Sequence, residues 1–412
     1  MTTPTSDPSE PLLFEGLKVV DCGTWIAGPV AGTILADFGA SVIKVEIPGA
    51  GDPYRALANG PLSPTAPMNY MWDCDARNKR SIALNLAAPE GREILMKLVR
   101  ECDVFITNQP FPTRRKLRLN YEDLAPENER MIYASLTAYG ETGPDAENEG
   151  FDHTAWWARS GLMDRVRTPG LLPGNSVPGM GDHPTAVALY AAIVTALMRR
   201  ERTGRGGKVH TSLLANGVWA NGCLAQAAAV GAEFPIREVP QPPARFPNRV
   251  LYETSDGRYF NFFMVRTHED FDAVLLAIGR EDVLTDPRFA DPEARMENGL
   301  ELVASLRETF AAQPMSHWRA LFREHSVPAT VVAEMEDLPN DPQIRVNGIM
   351  IEPAGPGVGS PLVVNHPLNI DGLPRRGPLH APEVGEHTDE VLAELGFGSE
   401  AIASLHARNI AG

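Results

Sequence analysis

The sequence predicts an α/β protein with a parallel sheet in a larger domain and a second, smaller α+β domain. A strand at 17–22, a helix at 29–38 and a strand at 41–46 follow one another. Such a strand–helix–strand unit is the signature of parallel pairing. Prolines crowd residues 233–248 and interrupt the periodic pattern. With 412 residues, 43% of them hydrophobic, the chain can bury a large core.

The other elements follow in order along the chain. The larger domain, residues 1–230, is predicted to continue with a helix at 89–102, strands at 104–107 and 131–136, a strongly apolar helix at 186–200, a strand at 208–212 and a helix at 213–230. After a linker at 231–248, the small domain at 249–335 is predicted to hold a hairpin at 250–264, helices near 267–279, 292–312 and 316–325, and a strand at 331–333. Residues 336–412 return to the larger domain, with a helical segment at 337–347 and helices near 386–396 and 399–408.

Composition excludes several classes of partner. There are 37 lysine and arginine residues and 53 aspartate and glutamate residues, so the net charge is −16. This acidity argues against nucleic acid or an anionic membrane as a partner. The four cysteines are scattered without a CxxC pair, which predicts reduced thiols and no metal site. Residues 1–10 lack an apolar signal core, and no run of about 18 apolar residues occurs, so we expect a cytoplasmic protein.

Asp182 is the most informative single residue. It lies in a glycine-rich stretch at 178–185, directly before the apolar helix. One interpretation is a simple N-cap, because Asp favours that position. The other is a reactive carboxylate, exposed by the small residues around it and kept ionised by the positive end of the helix. Local sequence favours the cap, and the alternative depends on the rest of the chain.

Other residues suggest chemistry without specifying it. Asp152 precedes Asp182 by thirty residues, and two carboxylates in one pocket can divide the work of nucleophile and helper. His153 and His183 lack a metal-ligand partner at helical spacing, so a structural role is favoured. The small-residue loop at 23–29 offers backbone N–H groups to an anion, but it is not the GxGxxG motif of an NAD site. No GxSxG elbow of a serine hydrolase occurs.

Two basic clusters, at 77–81 and 114–118, stand out in the acidic chain. Each alone is typical of a solvated face. Because both flank the predicted parallel sheet, they also fit a cofactor that carries phosphate groups.

Together these segments resemble one family, the class III coenzyme A transferases. It includes formyl-CoA, carnitine-CoA and bile-acid-CoA transferases and the related α-methylacyl-CoA racemases. The matching stretches are 17–21, 27–29, 35–40, 44–46, 51–55, 78–81, 181–182, 202–206, 208–209 and 385–389. They span nearly the whole chain, so chance is a poor explanation.

The resemblance implies a Rossmann-like large domain built from both chain ends, a small domain between them, and an interlocked homodimer. It implies that Asp182 is the nucleophile and Asp152 the helper carboxylate. Acyl-CoA and a carboxylic acid are the implied substrates, with no tightly bound cofactor. The positions implied to contact CoA are Ile26, Ala27, Leu84, Asn85, Asn108, Gln109, Lys116, Gly150 and Phe151.

Three departures from the family pattern refine this expectation. Formyl-CoA transferases carry Gln where this chain has Ile26, which favours a more apolar acid. The racemases carry His where this chain has Phe151, so an α-epimerase that uses Asp152 and Asp182 as acid and base ranks second. The usual Asn-Phe-x-Pro-Gly is altered at 108–112. In the hypothetical mechanism, N–H groups at 23–27 or of Gly181 hold the oxyanion, and Gly181 lets substrate approach without a Cβ clash.

Overall fold

A computed structural model describes residues 11–61, 63–167, 170–234 and 246–412. The chain divides into two compact units. Among the described residues, the larger contains those within 11–167, 173–233 and 342–412, and the smaller contains 170–172, 234 and 246–341. Most of the expected linker at 231–248, and the polar stretch at 1–10, lie outside the described residues.

The larger unit is built on a six-stranded sheet whose strands all run parallel. The strands are β1 (Lys18–Asp21), β2 (Ser41–Glu46), β3 (Arg80–Ala83), β4 (Val104–Thr107), β5 (Ile132–Thr137) and β6 (Gly207–Ser212). Their order in the sheet is β3-β2-β1-β4-β5-β6. This is the order of a doubly wound Rossmann sheet, which binds ligands beyond the carboxyl ends of its strands. The predicted α/β class is confirmed.

Helices cover both faces of this sheet. They are α1 (Ala27–Asp37), α2 (Tyr70–Asp75), α3 (Pro89–Glu101), α4 (Phe111–Leu117), α5 (Tyr121–Leu124), α6 (Leu162–Val166), α7 (Asp182–Thr203), α8 (Leu213–Ala220) and α9 (Gly222–Ala229). All eleven residues of α1 are buried, as expected for a helix that is apolar on every side. One buried cluster joins α1 and α7 to one face, and α3 packs in a second cluster on the other.

The C-terminal part of the larger unit closes the β3 edge. It contains α15 (Pro342–Val346), β10 (Met350–Ile351), β11 (Val363–Val364), α16 (Thr388–Glu394) and α17 (Ser399–Ala407). The His387 N–H donates to the Ser81 carbonyl at 2.9 Å. The Ala83 N–H donates to Thr388 Oγ1 at 3.1 Å.

The smaller unit has its own core beneath a three-stranded antiparallel sheet. Its strands and helices are β7 (Tyr252–Glu253), β8 (Tyr259–Asn261), α10 (His268–Ala277), α11 (Glu281–Thr285), α12 (Pro292–Glu297), α13 (Gly299–Ala311), α14 (Met315–Glu324) and β9 (Thr330–Val331). Aromatic side chains fill the core, with ring centroids of Tyr252 and Phe310 4.8 Å apart.

Several predicted boundaries were wrong. Strand β3, at 80–83, was not predicted from the sequence, because Arg80 and the basic residues before it resemble a solvated segment. The single helices expected at 213–230 and 292–312 are each two helices, which meet at Asn221 and at Asn298. The helix expected from 186 begins at Asp182. Of the described residues, no helix is both long and apolar enough to cross a membrane.

Candidate active site

Three cavities lie side by side beyond the carboxyl ends of the strands of the larger unit. The first, of about 220 Å³, borders the ends of β1, β2 and β3. The second, of about 330 Å³, shares Thr24, Gln109 and Thr113 with the first. The third, of about 380 Å³, shares Trp25 and Asp182 with the second. Since adjoining cavities share lining residues, they form one groove, which ends beyond Asp182.

The groove brings together ten of the eleven residues that the resemblance implied to be catalytic or to contact CoA. Leu84, Asn85 and Gln109 line the first cavity. The second is lined by Ala27, Asn108, Gln109, Gly150, Phe151 and Asp182, and the third by Ile26, Phe151, Asp152 and Asp182. Lys116 is exposed on α4 and lines none of these cavities, although Thr113 and Leu117 of the same helix line the first.

Asp182 is the first residue of α7, and its N-cap is Gly181. The simple capping interpretation is therefore wrong. Within the described chain, the Asp182 side chain has no hydrogen-bond partner, and it borders the second and third cavities. Burial, reinforced by the negative charge of Asp152, raises the pKa of Asp182 from 3.8 to about 8. Burial and the Asp152 charge therefore oppose the ionised form that the helix N-terminus was expected to favour.

Asp152 is buried and holds the turn that carries Asp182. Its Oδ2 accepts the Gly181 N–H at 3.1 Å, and its Oδ1 accepts the His153 N–H at 2.7 Å. The N–H of Gly181 is thus already engaged and is not an oxyanion donor, which corrects one expectation from the sequence. Asp152 fixes the approach of the chain to Asp182, and its negative charge opposes ionisation of that residue.

Packing against Trp156 requires Gly at position 181. A Cβ built on Gly181 would lie 2.5 Å from Trp156 Cγ. No real Cβ tolerates such a contact, and Trp156 is itself buried and stacked on Trp157 at 6.2 Å. The core therefore imposes a steric requirement for Gly at this position, and the expected role of Gly181 in admitting substrate stays a prediction.

Replacing Gly181 with Ala should displace the turn before Asp182. We expect overpacking to lower the free energy of unfolding by about 1–3 kcal/mol and kcat to fall by at least about tenfold, because a small misplacement of a reacting group is costly. Urea denaturation and steady-state kinetics measure the two effects. Gly222→Ala is the control, since a Cβ there meets nothing within 4 Å. Unchanged kcat in Gly181→Ala would show that the packing of Gly181 against Trp156 does not position Asp182 for the reaction.

The loop between β1 and α1 has few free N–H groups. The N–H of Gly23 donates to Asp21 Oδ1 at 3.0 Å, that of Thr24 to Asn108 Oδ1 at 2.8 Å, and that of Trp25 to Asp52 Oδ1 at 3.0 Å. Any oxyanion donors in this loop are therefore limited to the residues after Trp25. The Asn108 amide also donates to the Thr24 carbonyl at 2.7 Å, so it braces the loop.

A buried ion pair supports this loop from below. Lys44 Nζ lies 2.7 Å from Asp52 Oδ2, with side chains 1% and 0% exposed. Lys44 also donates to the Gly23 carbonyl. Burial alone would lower the pKa of Lys44, but the negative charges of Asp52, Asp21 and Glu46 outweigh it and the pKa is raised. The pair helps to hold Trp25 in a left-handed conformation, φ 62°, which is strained for a residue other than glycine.

Most of the two basic clusters are engaged inside the protein. Arg77 pairs with Asp37 at 2.7 Å, and Lys79 pairs with Asp21 at 3.0 Å, all of them buried. Arg80 pairs with Glu390 and Glu394, and Arg115 with Glu147. Arg114 is buried and donates to Ser135 and Leu136. The expectation that residues 77–81 meet a phosphate group is wrong, because acidic residues distant in the sequence already form ion pairs with their basic side chains.

His183 belongs to a hydrogen-bonded group beside Asp182 that the sequence did not indicate. Its Nε2 lies 3.0 Å from Asp75 Oδ1, and the Tyr54 hydroxyl donates to Asp75 Oδ2 at 2.5 Å. Burial alone would lower the pKa of His183, but Asp75 raises it to about 11, so the pair is ionic. One metal-type cluster occurs in the described residues, formed by Cys74, Asp75 and His183. Both Asp75 oxygens already accept hydrogen bonds.

Comparison with known proteins identifies the family. The model of CoA-transferase family III matches residues 14–388. The chain is 32% identical to the (R)-2-hydroxy-4-methylpentanoate CoA-transferase of Clostridioides difficile, over 95% of this chain and 97% of that protein. It is 33% identical to the cinnamoyl-CoA:phenyllactate CoA-transferase of Clostridium sporogenes, over 95% and 96% of the two chains.

A solved structure of a family member has the same fold. A crystal structure of a CAIB/BAIF family protein from Brucella suis superposes with a TM-score of 0.81 at 30% identity, covering 94% of this chain and all of that one. The family model spans well over half of the chain, and the relatives match it almost from end to end. The chain therefore belongs to CoA-transferase family III and is a class III CoA-transferase.

Proposed function

We propose that this enzyme moves coenzyme A from an acyl-CoA donor to a carboxylic acid through a covalent aspartyl-CoA intermediate on Asp182. The observation that carries the proposal is the position of Asp182. Its carboxylate is unpartnered among the described residues and borders both the second and the third cavity. A thioester placed at that junction would have CoA on one side and the acyl group on the other.

The groove divides naturally between the two parts of an acyl-CoA. We assign the first and second cavities to CoA, because the first has apolar walls for a flat base and the second leads from it to Asp182. Leu84, Asn85, Gln109 and Gly150 would contact CoA there. Lys116 is exposed at the surface of α4, so it is a candidate for a CoA phosphate. The third cavity would receive the acyl group.

Transfer proceeds in four balanced steps. The Asp182 carboxylate attacks the thioester carbonyl, forming an acyl–aspartyl anhydride and releasing CoA thiolate. The thiolate attacks the Asp182 carbonyl, which forms aspartyl-CoA and releases the donor carboxylate. The acceptor carboxylate then attacks aspartyl-CoA, giving a second anhydride and thiolate. Finally the thiolate attacks the acceptor carbonyl, which releases the new acyl-CoA and restores the Asp182 carboxylate.

The named relatives support an apolar acid as substrate. The one from Clostridioides difficile is named for (R)-2-hydroxy-4-methylpentanoate, and the one from Clostridium sporogenes for cinnamoyl-CoA and phenyllactate. In this chain Trp25, Ile26 and Phe151 line the third cavity, which suits a branched or aromatic tail. We therefore propose an acid of that kind.

Trapping the intermediate tests the proposal. The enzyme is incubated with a panel of acyl-CoA donors and carboxylic acids, and exchange is followed by mass spectrometry. Borohydride reduction or hydroxylamine treatment during turnover should modify Asp182, identified by peptide mapping. Transfer with no modification at Asp182 would overturn the covalent route, and modification elsewhere would move the nucleophile.

The α-epimerase alternative has less support. Both oxygens of Asp152 accept backbone N–H groups, at 2.7 and 3.1 Å, so this carboxylate is committed to holding the turn. Phe151 supplies no second base. Uptake of deuterium at the α-carbon of an acyl-CoA in D₂O, without any acceptor acid, would favour the epimerase over transfer.

We also propose a homodimer. Helix α9 buries none of its eight residues, although all but Gln226 are small or apolar. Beside it Trp219 is 85% exposed and Val230 is 72% exposed. A second copy of the chain would cover this face, since exposed apolar surfaces of this kind mark interaction sites.

Trp219→Glu should weaken that dimer. A buried, unpaired carboxylate at the interface is costly, so we expect the molar mass measured by light scattering to fall towards that of one chain at micromolar concentration. Trp219→Phe keeps an apolar ring and should remain dimeric. A monomeric wild-type protein would contradict the proposal.

A further inference from the structure

The third cavity is not uniformly apolar. One part of its lining consists of Trp25, Ile26, Leu57 and Phe151, and the other part includes His153, Asn175 and Ser176. Asp152 and Asp182 also line this cavity. An acyl group held there would therefore meet polar side chains as well as an apolar wall.

His153 is the polar residue best placed to recognise part of a substrate. It follows Asp152 at the start of the π-helix Asp152–Ala158, so it is held close to the reacting end of the cavity. Such π-helical turns occur frequently at functional sites. Its backbone N–H donates to Asp152 at 2.7 Å, which fixes the chain there.

The two ring nitrogens of His153 differ in their surroundings. Nδ1 lies 3.2 Å from the Ser176 hydroxyl. Nε2 has no partner among the residues that the structure describes. The ring is half-buried and lines the third cavity, so Nε2 is available to a ligand group placed there.

A hydroxyl group is the substituent that suits this nitrogen in either tautomer of the neutral ring. A hydroxyl donates one hydrogen bond and accepts two, whereas Nε2 of imidazole is a donor in one tautomer and an acceptor in the other. We propose that His153 is a specificity residue that selects acids bearing a hydroxyl group close to the carboxyl carbon, with the apolar tail against Trp25 and Leu57. This rests on the proposed function of the groove.

Paired acceptor acids test the inference. The hydroxy acid 2-hydroxy-3-phenylpropanoate and its unsubstituted counterpart 3-phenylpropanoate are compared by their kcat/KM values, with one acyl-CoA donor found active in the exchange assay. We expect the wild type to prefer the hydroxy acid and His153→Phe to lose at least about tenfold of that preference. The kcat/KM of the variant with the unsubstituted acid should fall by a smaller factor, because only the hydroxy acid loses a hydrogen bond.

Two further variants separate recognition from a structural role. Ser176→Ala removes the Nδ1 contact and keeps Nε2, so the preference should persist. His153→Asn keeps a polar group and should retain part of the preference. Equal losses for both acids in His153→Phe would show that the residue only supports the cavity wall, and a wild type that does not distinguish the acids would overturn the inference.

Binding provides a readout that does not need turnover. Isothermal titration calorimetry of the two free acids gives the same preference as a ratio of Kd values, and the ratio should fall in His153→Phe. Absence of transfer and of any trapped adduct on Asp182 would sink the proposed function. An unchanged ratio with transfer intact would sink only the role of His153.

Discussion

Asp182→Asn should abolish CoA transfer, lowering kcat by a factor on the order of 10⁴ or more, because removing a covalent nucleophile leaves only binding and charge stabilisation. Steady-state kinetics with the best donor and acceptor pair measures the loss. Substrate binding should persist, since the groove is unchanged. Asp371→Asn, an exposed site with the same charge change, serves as the control and should keep full activity. Retained activity in Asp182→Asn would contradict the nucleophile.

The same variant should gain stability at alkaline pH. The pKa of Asp182 is raised from 3.8 to about 8, so between these values the folded protein keeps a proton that the unfolded chain releases. Stability contributed by this site therefore falls as pH rises from about 4 to about 8. An Asn side chain does not ionise, so the variant does not lose this stability as the pH rises. The Tm of Asp182→Asn relative to the wild type should rise across that range and level off above pH 8, and a constant difference would contradict the raised pKa.

The rate should follow the same ionisation. Only the carboxylate form of Asp182 is nucleophilic, so the formation of the trapped adduct in the first turnover should increase with pH up to about 8 and then level off. Rapid quenching followed by mass spectrometry measures that dependence.

Of the substitutions proposed here for the folded protein, Lys44→Met should lower the free energy of unfolding the most. Lys44 and Asp52 are both buried, and removing one partner leaves an uncompensated charge, so we expect the free energy of unfolding to fall by about 3–5 kcal/mol. Because Asp52 also accepts the Trp25 N–H, the loop beside Asp182 should loosen and kcat should fall as well. Urea denaturation measures the first effect and kinetics the second.

Lys18→Met is the matched control. Lys18 pairs with Glu101 at 2.8 Å, but the two side chains are 56% and 60% exposed. Exposed ion pairs contribute little, so this substitution on the neighbouring strand should change the free energy of unfolding by less than about 1 kcal/mol. Equal losses in the two variants would show that the buried pair contributes no more than an exposed one.

Much of the fold could be predicted because the hydrophobic pattern of strands and helices is local. Strands β1, β2 and β4 are short apolar runs, and their alternation with helices requires parallel pairing. Strand β3 was not predicted, because Arg80 and the basic residues before it resemble a solvated segment. The charges at its start and just before it are tolerated because acidic residues of α1, β1 and α16 form ion pairs with them.

Residues of the groove could be predicted for a related reason. In a parallel sheet the carboxyl ends of all strands meet at one edge, so Ile26, Leu84 and Asn108 necessarily gather there. The function of each side chain was harder to predict. Asn108 braces a loop, Gly181 makes room for Trp156, and the N–H of Gly181 is taken by Asp152.

The sequence by itself determined the α/β class, the family and the position of Asp182 at the start of a helix, since each depends on residues close together in the chain or on a motif. Only the tertiary structure decided which charges are paired and how Asp182 ionises. Asp52 pairs with Lys44 across a turn. Asp152 accepts a hydrogen bond from the N–H of Gly181, which lies twenty-nine residues later and directly before Asp182. Burial and charge act through space, so a pKa of about 8 follows from the packed neighbours and not from the order of the residues.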